Sequence, residues 1–329
     1  MKKAQNLGER RIIEIIQRHL DLMPKMAVPF GDDVSAFETE KGKLVVLKTD
    51  MLVDKTDVPP GMSLWQTARK AVVMNVSDFA AKGVKPIVAL VALGLPRSIT
   101  KKDVEEIGAG LNAGAHEYGA YIIGGDTGEA SDLVIAVSLF GLASKDNLML
   151  RSGATPGDVI AVTGLFGKTS AGLRILVDDL KASGKIRKTL VDSVLMPAAR
   201  LKEGLALAET KAVSASIDSS DGLAWSLHEI AKSSHVGICI DQLPTAEECK
   251  TFAVCNNLDS TELTLYGGEE YELVLTVKPS RWKIAEKAVK NAGGHLLGIG
   301  KVTLEKGVVL EVGAKQVPIE ARGYEHFKT

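Results

Sequence analysis

Four apolar stretches of the chain begin or end on carboxylates set beside glycine or serine: GDD at 31–33, KTD at 48–50, GGDTG at 124–128 and IDSSDGL at 217–223. Taken singly, each reads as a turn or a helix cap, since Asp, Gly and Ser supply both. A fifth segment, NVSDFAAKG at 75–83, is harder to place because Asp78 interrupts an otherwise apolar helical stretch beside Val76, Phe79 and Ala80. Either that helix turns Asp78 to solvent, or the acid is buried and needs a partner, because an unpaired buried carboxylate is expensive. If the five segments converge, each pair of carboxylates 4 Å apart repels by about 4 kcal/mol at an effective dielectric near 20. Only cations relieve that.

The length of 329 residues suggests two domains of roughly 150 residues each. ERRIIEIIQRHL (9–20) carries Ile12, Ile13, Ile16 and Leu20 at helical spacing. A strand over 44–47 runs on towards Asp50. A helix then starts at a Ser63 N-cap and stops at Gly83. PIVALVALGLP is a strand bounded by prolines. Thr100 and Asp103 form a capping-box pattern for a helix ending near Gly119, and AYIIGGD and DLVIAVSLFG follow as strands. This order predicts an α/β (α+β) layer in which helices cover a sheet. The polar, turn-rich segment 144–158 marks the junction, dividing the chain into 1–148 and 149–329. Beyond it the pattern predicts a strand at VIAVTG, helices near 169–181 and 198–209, a strand at VSASI, a helix from Asp221 and a strand at GICI. The remainder reads as strand and helix in alternation.

Forty basic against 41 acidic residues leave a formal charge of −1, so no overall field recruits nucleic acid or an anionic membrane. The N-terminus lacks the apolar core of a signal peptide, and no apolar run approaches the roughly 20 residues of a membrane span. A cytoplasmic protein is expected. The three cysteines and six histidines fall outside zinc-binding spacings. Oxygen ligands therefore select Mg²⁺ or Mn²⁺, and carboxylate-held Mg²⁺ most often serves phosphates. Arg151, ahead of a GATPGD turn, offers a guanidinium for phosphate or is a surface arginine at the junction. GLFGKTS (164–170) imitates a P-loop, but Val162 stands where the first glycine is required.

GDD, TDMLV, NVSDFAAKG.KP, GGDT, R.GA.PGD, D.SDGL, GGEEYEL and GYEHF, in this order over residues 31–327, resemble the thiamine-monophosphate kinases of the AIR-synthase (PurM-like) superfamily. The resemblance implies a PurM-like two-domain fold, with an N-terminal domain that binds ATP and Mg²⁺ and dimerises through its sheet, and a C-terminal α/β domain. It implies ATP-dependent phosphorylation of thiamine monophosphate to the diphosphate by a homodimer. By motif, Asp32, Thr49, Asp50 and Asp78 correspond to Mg²⁺ ligands, as do Asp126, Asp218 and Asp221. Gly125, Asp126, Arg151 and Ser220 correspond to ATP contacts, and Glu269 and Tyr324 to substrate contacts. Asp57 stands where the bacterial pattern has a substrate-contacting histidine. Lys48 replaces a frequent serine ligand, and Glu270 a usual aspartate.

A phosphate monoester has a second pKa near 6, so the acceptor oxygen is ionised at neutral pH without a general base. No covalent nucleophile is expected, and transfer is expected to be direct. Other readings are a different ATP-dependent PurM-like enzyme or a nucleotide or divalent-ion sensor that retains the fold without turnover. Hydrogenase-maturation dehydratases need a C-terminal cysteine, whereas this chain ends GYEHFKT.

Overall fold

The computed structural model describes residues 6, 8–21, 23–24, 26–39 and 42–327. The first half comprises α1 (Glu9–Gln17), β1 (Met26–Val28), β2 (Ser35–Glu38), β3 (Lys43–Val53), the single turn α2 (Asp54–Asp57), α3 (Leu64–Lys82), β4 (Pro86–Leu95), α4 (Lys101–Glu117), β5 (Tyr121–Glu129) and β6 (Val134–Ser144). Its six strands form one sheet in the order β1-β2-β3-β6-β4-β5. All neighbours are antiparallel except β4 and β5, which α4 connects. Leu44, Val46 and Leu52 of β3 alternate onto a face covered by α3. Leu47 and Met51 point to the opposite, open face.

Both N-caps form where the sequence predicts, and the one at Ser63 is also a capping box, completed by Gln66. The Gln66 N–H donates to Ser63 Oγ at 3.2 Å and the Ser63 N–H to Gln66 Oε1 at 2.9 Å. Thr100 and Asp103 exchange the same pair. Gly83 ends α3 in the left-handed region at φ 65°.

The second half contains β7 (Val159–Val162), α5 (Lys168–Val177), α6 (Gly184–Leu195), α7 (Leu201–Thr210), β8 (Val213–Asp218), α8 (Leu223–Ser234), β9 (Gly237–Ile240), α9 (Glu247–Asn256), α10 (Ser260–Tyr266), β10 (Leu273–Val277), α11 (Trp282–Asn291), β11 (Leu297–Thr303), β12 (Gly307–Val312) and β13 (Lys315–Pro318). These seven strands form a second sheet, ordered β13-β12-β9-β11-β7-β10-β8. The predicted alternation fails here in two places. Helices α9 and α10 follow one another, and β11 to β13 are consecutive strands, because β12 returns beside β9 in parallel and β13 hairpins onto it. Helix α6 was not expected, and its polar sequence hides a two-residue apolar contact, Leu190 and Val194, against α5.

One core joins the halves. Val72, Val76 and Phe79 of α3 pack in the same cluster as Leu207, Leu273, Leu275 and Ala285. α3 meets β3 and β6 on one side and α7, β8 and β10 on the other. The approach of α7 is so close that a Cβ on Gly204 would lie 2.0 Å from the Ala80 carbonyl oxygen. Fifteen of the nineteen α3 residues are buried, which leaves no solvated face for its charged side chains.

Helix α1 ends three residues short of the predicted segment, and Ile13 and Ile16 stay exposed. Its docking is polar instead: the Arg10 guanidinium lies 3.0 Å from the Trp225 ring centre and pairs with Asp221 at 3.3 Å.

Candidate active site

Burial of α3 on both sides decides how Asp78 is used, for it is only 5% exposed. Asp33 from the GDD turn and Asp218 from the C-terminal end of β8 meet it there. One carboxylate oxygen of each lies within 4.8 Å of the others, and all three residues are buried. Both halves of the chain thus contribute, and the donors are all hard oxygens. Ser77 Oγ donates to Asp218 Oδ2 at 2.8 Å.

Three cations surround the group. Lys48 Nζ lies 3.1 Å from Asp50 Oδ1 and 3.0 Å from Asp78 Oδ2. Lys82 Nζ lies 2.6 Å from Asp32 Oδ1 and 2.8 Å from Asp33 Oδ2, and donates to the Ser216 carbonyl at 2.7 Å. The Arg151 guanidinium clasps Asp33, and its backbone N–H donates to Asp32 Oδ2 at 3.0 Å.

These contacts divide the acids electrostatically. Burial pushes Asp218 up to about 7, with the Asp33 charge adding to it against the Ser77 hydrogen bond. Burial also raises Asp78 well above the carboxylate range, with Lys48 opposing and Asp218 reinforcing the shift. Burial acts on Asp33 in the same sense, but Lys82 and Arg151 outweigh it and hold Asp33 below its ordinary value. Burial would discharge Lys48, yet Asp78 and Asp50 keep its ammonium above the usual lysine range.

Of the residues picked out by motif, Asp32, Asp50, Asp78, Asp218 and Arg151 come together in this network. Thr49 does not join them. It alternates to the open face of β3, where its hydroxyl donates to the Val137 carbonyl and accepts from Ser138 Oγ. Asp126 is in register with Ala92, Ala136 and Met51 across the sheet, which puts it on that same open face. Gly125, beside it, allows β5 to close on β4, since a Cβ there would stand 1.8 Å from the Val91 oxygen. Asp221 faces Arg10 rather than the triad, and the Ser220 carbonyl accepts from the Glu269 N–H at 2.7 Å.

Asp57, Glu269 and Tyr324 gather in a second, acidic corner. Lys70, fully buried in α3, pairs with Glu269 Oε1 at 2.5 Å and donates to the Asp57 carbonyl at 2.8 Å. His326 brings the C-terminal segment in, with Nε2 3.9 Å from Asp57 Oδ1 and Nδ1 3.4 Å from the Tyr324 hydroxyl.

With this geometry, the relatives are informative. The family described as AIR synthase related protein, N-terminal domain, matches residues 31–143, and its C-terminal domain counterpart matches residues 155–313. A thiamine-monophosphate kinase of Nitrosopumilus maritimus is 37% identical over 98% of this chain and 99% of its own. The chain belongs to the thiamine-monophosphate kinase family. Another member, from Pyrococcus horikoshii, is 35% identical over 98% of both chains. The solved structure of AaThiL complexed with AMPPCP and TMP aligns with a TM-score of 0.86 at 29% identity, covering 99% of each chain. The two-domain α/β fold expected of this kinase family is therefore the one observed. Among the described residues, no helix is long and apolar enough to cross a membrane.

Sequence reasoning missed Asp33, Lys70 and Lys82. Asp33 stands next to Asp32 in the doublet, and only the direction of the turn separates their roles. Lys70 and Lys82 carried the signal that singled out Asp78, a charge inside an apolar helix, and the same burial argument reaches them.

Glu270 yields a test independent of the metal cluster. Its carboxylate accepts the Thr169 N–H at the start of α5 at 3.1 Å. Burial nevertheless dominates and lifts it to about 7, against the pull of Lys168. A carboxyl raised on folding makes the folded state bind the extra proton, so stability falls as pH climbs from about 4 to about 7. In urea titrations, wild type is expected to lose stability relative to Glu270→Gln across that window and to hold a constant difference above about pH 8. A difference that does not vary with pH contradicts the assignment.

Proposed function

We propose that the protein transfers the γ-phosphoryl group of ATP to thiamine monophosphate, giving thiamine diphosphate and ADP, by direct in-line attack with Mg²⁺. The observation that carries this reading is the convergence of Asp33, Asp78 and Asp218 from two halves of the chain onto one buried point. An all-oxygen donor set with no histidine or cysteine in it fits Mg²⁺. Asp33, Asp78 and Asp218 would hold the ion, and Asp50 and Asp32 stand beside them, paired with Lys48 and Lys82. When bound, Mg²⁺ supplies positive charge to the phosphoryl oxygens of the nucleotide and the acceptor.

The work left to the protein is positioning. One oxygen of the acceptor phosphate forms a bond to the γ-phosphorus as the bond to the β-bridging oxygen breaks, and ADP leaves. The acceptor oxygen is already ionised, so no proton has to be removed. Arg151, Gly125, Asp126 and Ser220 are assigned to ATP by motif, and Arg151 has a guanidinium suited to phosphate. The corner formed by Asp57, Glu269 and Tyr324 is acidic and aromatic, which suits a ring system carrying a fixed thiazolium charge. AMPPCP and TMP together in the AaThiL structure support the pair of substrates. Residues 1–148 supply Asp33 and Asp78 in this account, residues 149–329 supply Asp218, and the reaction belongs to the cytoplasm.

A homodimer through the first sheet is part of the proposal. Leu47, Met51, Leu90, Tyr121, Ile123 and Leu142 are each between 42% and 65% exposed, and the open face of the sheet and its β5 edge carry most of them. An apolar surface of this kind marks an interface. A second copy packed there would bring Thr49 and Asp126 to the seam rather than leave them in water.

The direct test is incubation with ATP, Mg²⁺ and thiamine monophosphate, with thiamine diphosphate measured by chromatography. Product is expected, and its absence with all three present removes the kinase reading. Asp78→Asn is expected to lower turnover at least about 100-fold, the scale of losing one preorganised charged group, with an unchanged circular dichroism spectrum. Near-wild-type turnover would take Asp78 out of the site. Light scattering should report two chains per particle for wild type and one for the Leu90→Glu, Ile123→Lys double variant. A monomeric wild type would remove the dimer.

A further inference from the structure

Each of the two lysines in the carboxylate network touches two acids at once. Lys48 stands two residues from Asp50 on the covered face of β3, and its ammonium fills the space between that strand and Asp78 on α3. Lys82, on the last turn of α3, fills the corresponding space between Asp32 and Asp33. Neither arrangement is a surface ion pair: the Lys48 side chain is 19% exposed and that of Lys82 is 0% exposed.

The charges can be tallied. Asp32, Asp33, Asp50, Asp78 and Asp218 bring five carboxylates, and Lys48, Lys82 and Arg151 bring three cations, each in contact with one or two of those acids; Glu229, which Arg151 also reaches, has Arg10 as its own partner. With all five acids ionised, as ligation of a divalent ion would require, two negative charges remain. That remainder is the charge of one divalent ion, and the acids whose oxygens approach within 4.8 Å are the three that could share it.

We propose that Lys48 is a resident cation of the active site, holding Asp50 and Asp78 together in place of a divalent ion, so that the nucleotide-free protein takes up one such ion at the triad. This rests on reading the cluster as a Mg²⁺ centre. The geometry is specific. Mg²⁺ binds oxygen at about 2.0–2.1 Å, whereas Lys48 Nζ stands 3.0 and 3.1 Å from its two oxygens. A divalent ion bridging Asp50 and Asp78 would have to expel the ammonium from both. Because Lys48 is tethered to the chain, its charge is present at any free Mg²⁺ concentration, so the two acids stay paired when metal is scarce. A lysine ammonium has no open coordination position, so its part is to position Asp50 and Asp78 and not to bind phosphate as a metal would.

The experiment counts Mn²⁺ ions by electron paramagnetic resonance of the free ion, without nucleotide, in wild type, Lys48→Ser and Lys48→Met. Wild type is expected to bind one ion per chain, and each variant, with three negative charges left uncompensated, is expected to bind two. Equal counts in wild type and variants overturn the role of Lys48 while leaving the kinase reading intact. No binding by any of the three overturns the metal reading beneath it. Thermal unfolding gives a second readout that does not depend on turnover. The variants are expected to melt several degrees below wild type in EDTA and to recover when Mn²⁺ is added, and variants as stable as wild type in EDTA contradict the proposal. Should neither variant fold, the wild-type count still decides, since two or more ions of comparable affinity would mean that Lys48 replaces none.

Discussion

A helix packed on two sides cannot leave a carboxylate without compensation, and Asp78 lies on such a helix. The N-terminal sheet covers α3 from one direction and the C-terminal half from the other, so each charged side chain on it meets protein in place of water. Arg69, Lys70, Asp78 and Lys82 are all buried on α3, and each has an ionic partner in another element. The partners of the last three mark out the two polar regions of the molecule. α3 is at once the main packing element between the halves and the rod on which the charged groups are mounted, which ties the integrity of the site to the integrity of the core.

The chain assembles like charges and then manages them with unlike ones. Asp33, Asp78 and Asp218 sit closer than bare carboxylates tolerate. Lys48, Lys82 and Arg151 keep the ensemble from flying apart, while Asp218 retains a hydroxyl and no ionic partner within salt-bridge range among the described residues. The result is a residual negative potential at one buried point, flanked by acids held in fixed positions. On the proposed function such a point would draw a divalent cation, and phosphates would follow the cation. The second acidic corner, proposed for the substrate, is separate, organised by Lys70 through Glu269 and the Asp57 backbone.

Much of this was legible from local patterns. The caps at Ser63, Gly83 and Thr100 bound their helices where the residues predict, because capping is decided within four residues. The acids at strand ends were found because turn residues beside apolar runs stand out. Other features were not legible for stated physical reasons. α6 buries only Leu190 and Val194, too few to register as a period. The pairing of β12 with β9 joins segments 70 residues apart and leaves no local trace. Thr49 and Asp50 are adjacent in sequence and opposite in space, since successive strand residues face opposite ways. A motif transfers both names without saying that the sheet divides them. Lys48 shares the Asp50 face by the same rule, and that is why a lysine sits inside an acidic site.

The central claim is that Asp33, Asp78 and Asp218 form one divalent-ion centre. Crystals grown with Mn²⁺ and measured at an energy where manganese scatters anomalously test it directly. A peak within about 2.0–2.5 Å of oxygens from all three residues is the predicted result. Manganese bound only elsewhere, with the triad left in contact with Lys48, Lys82, Arg151 and Ser77 alone, would contradict the account.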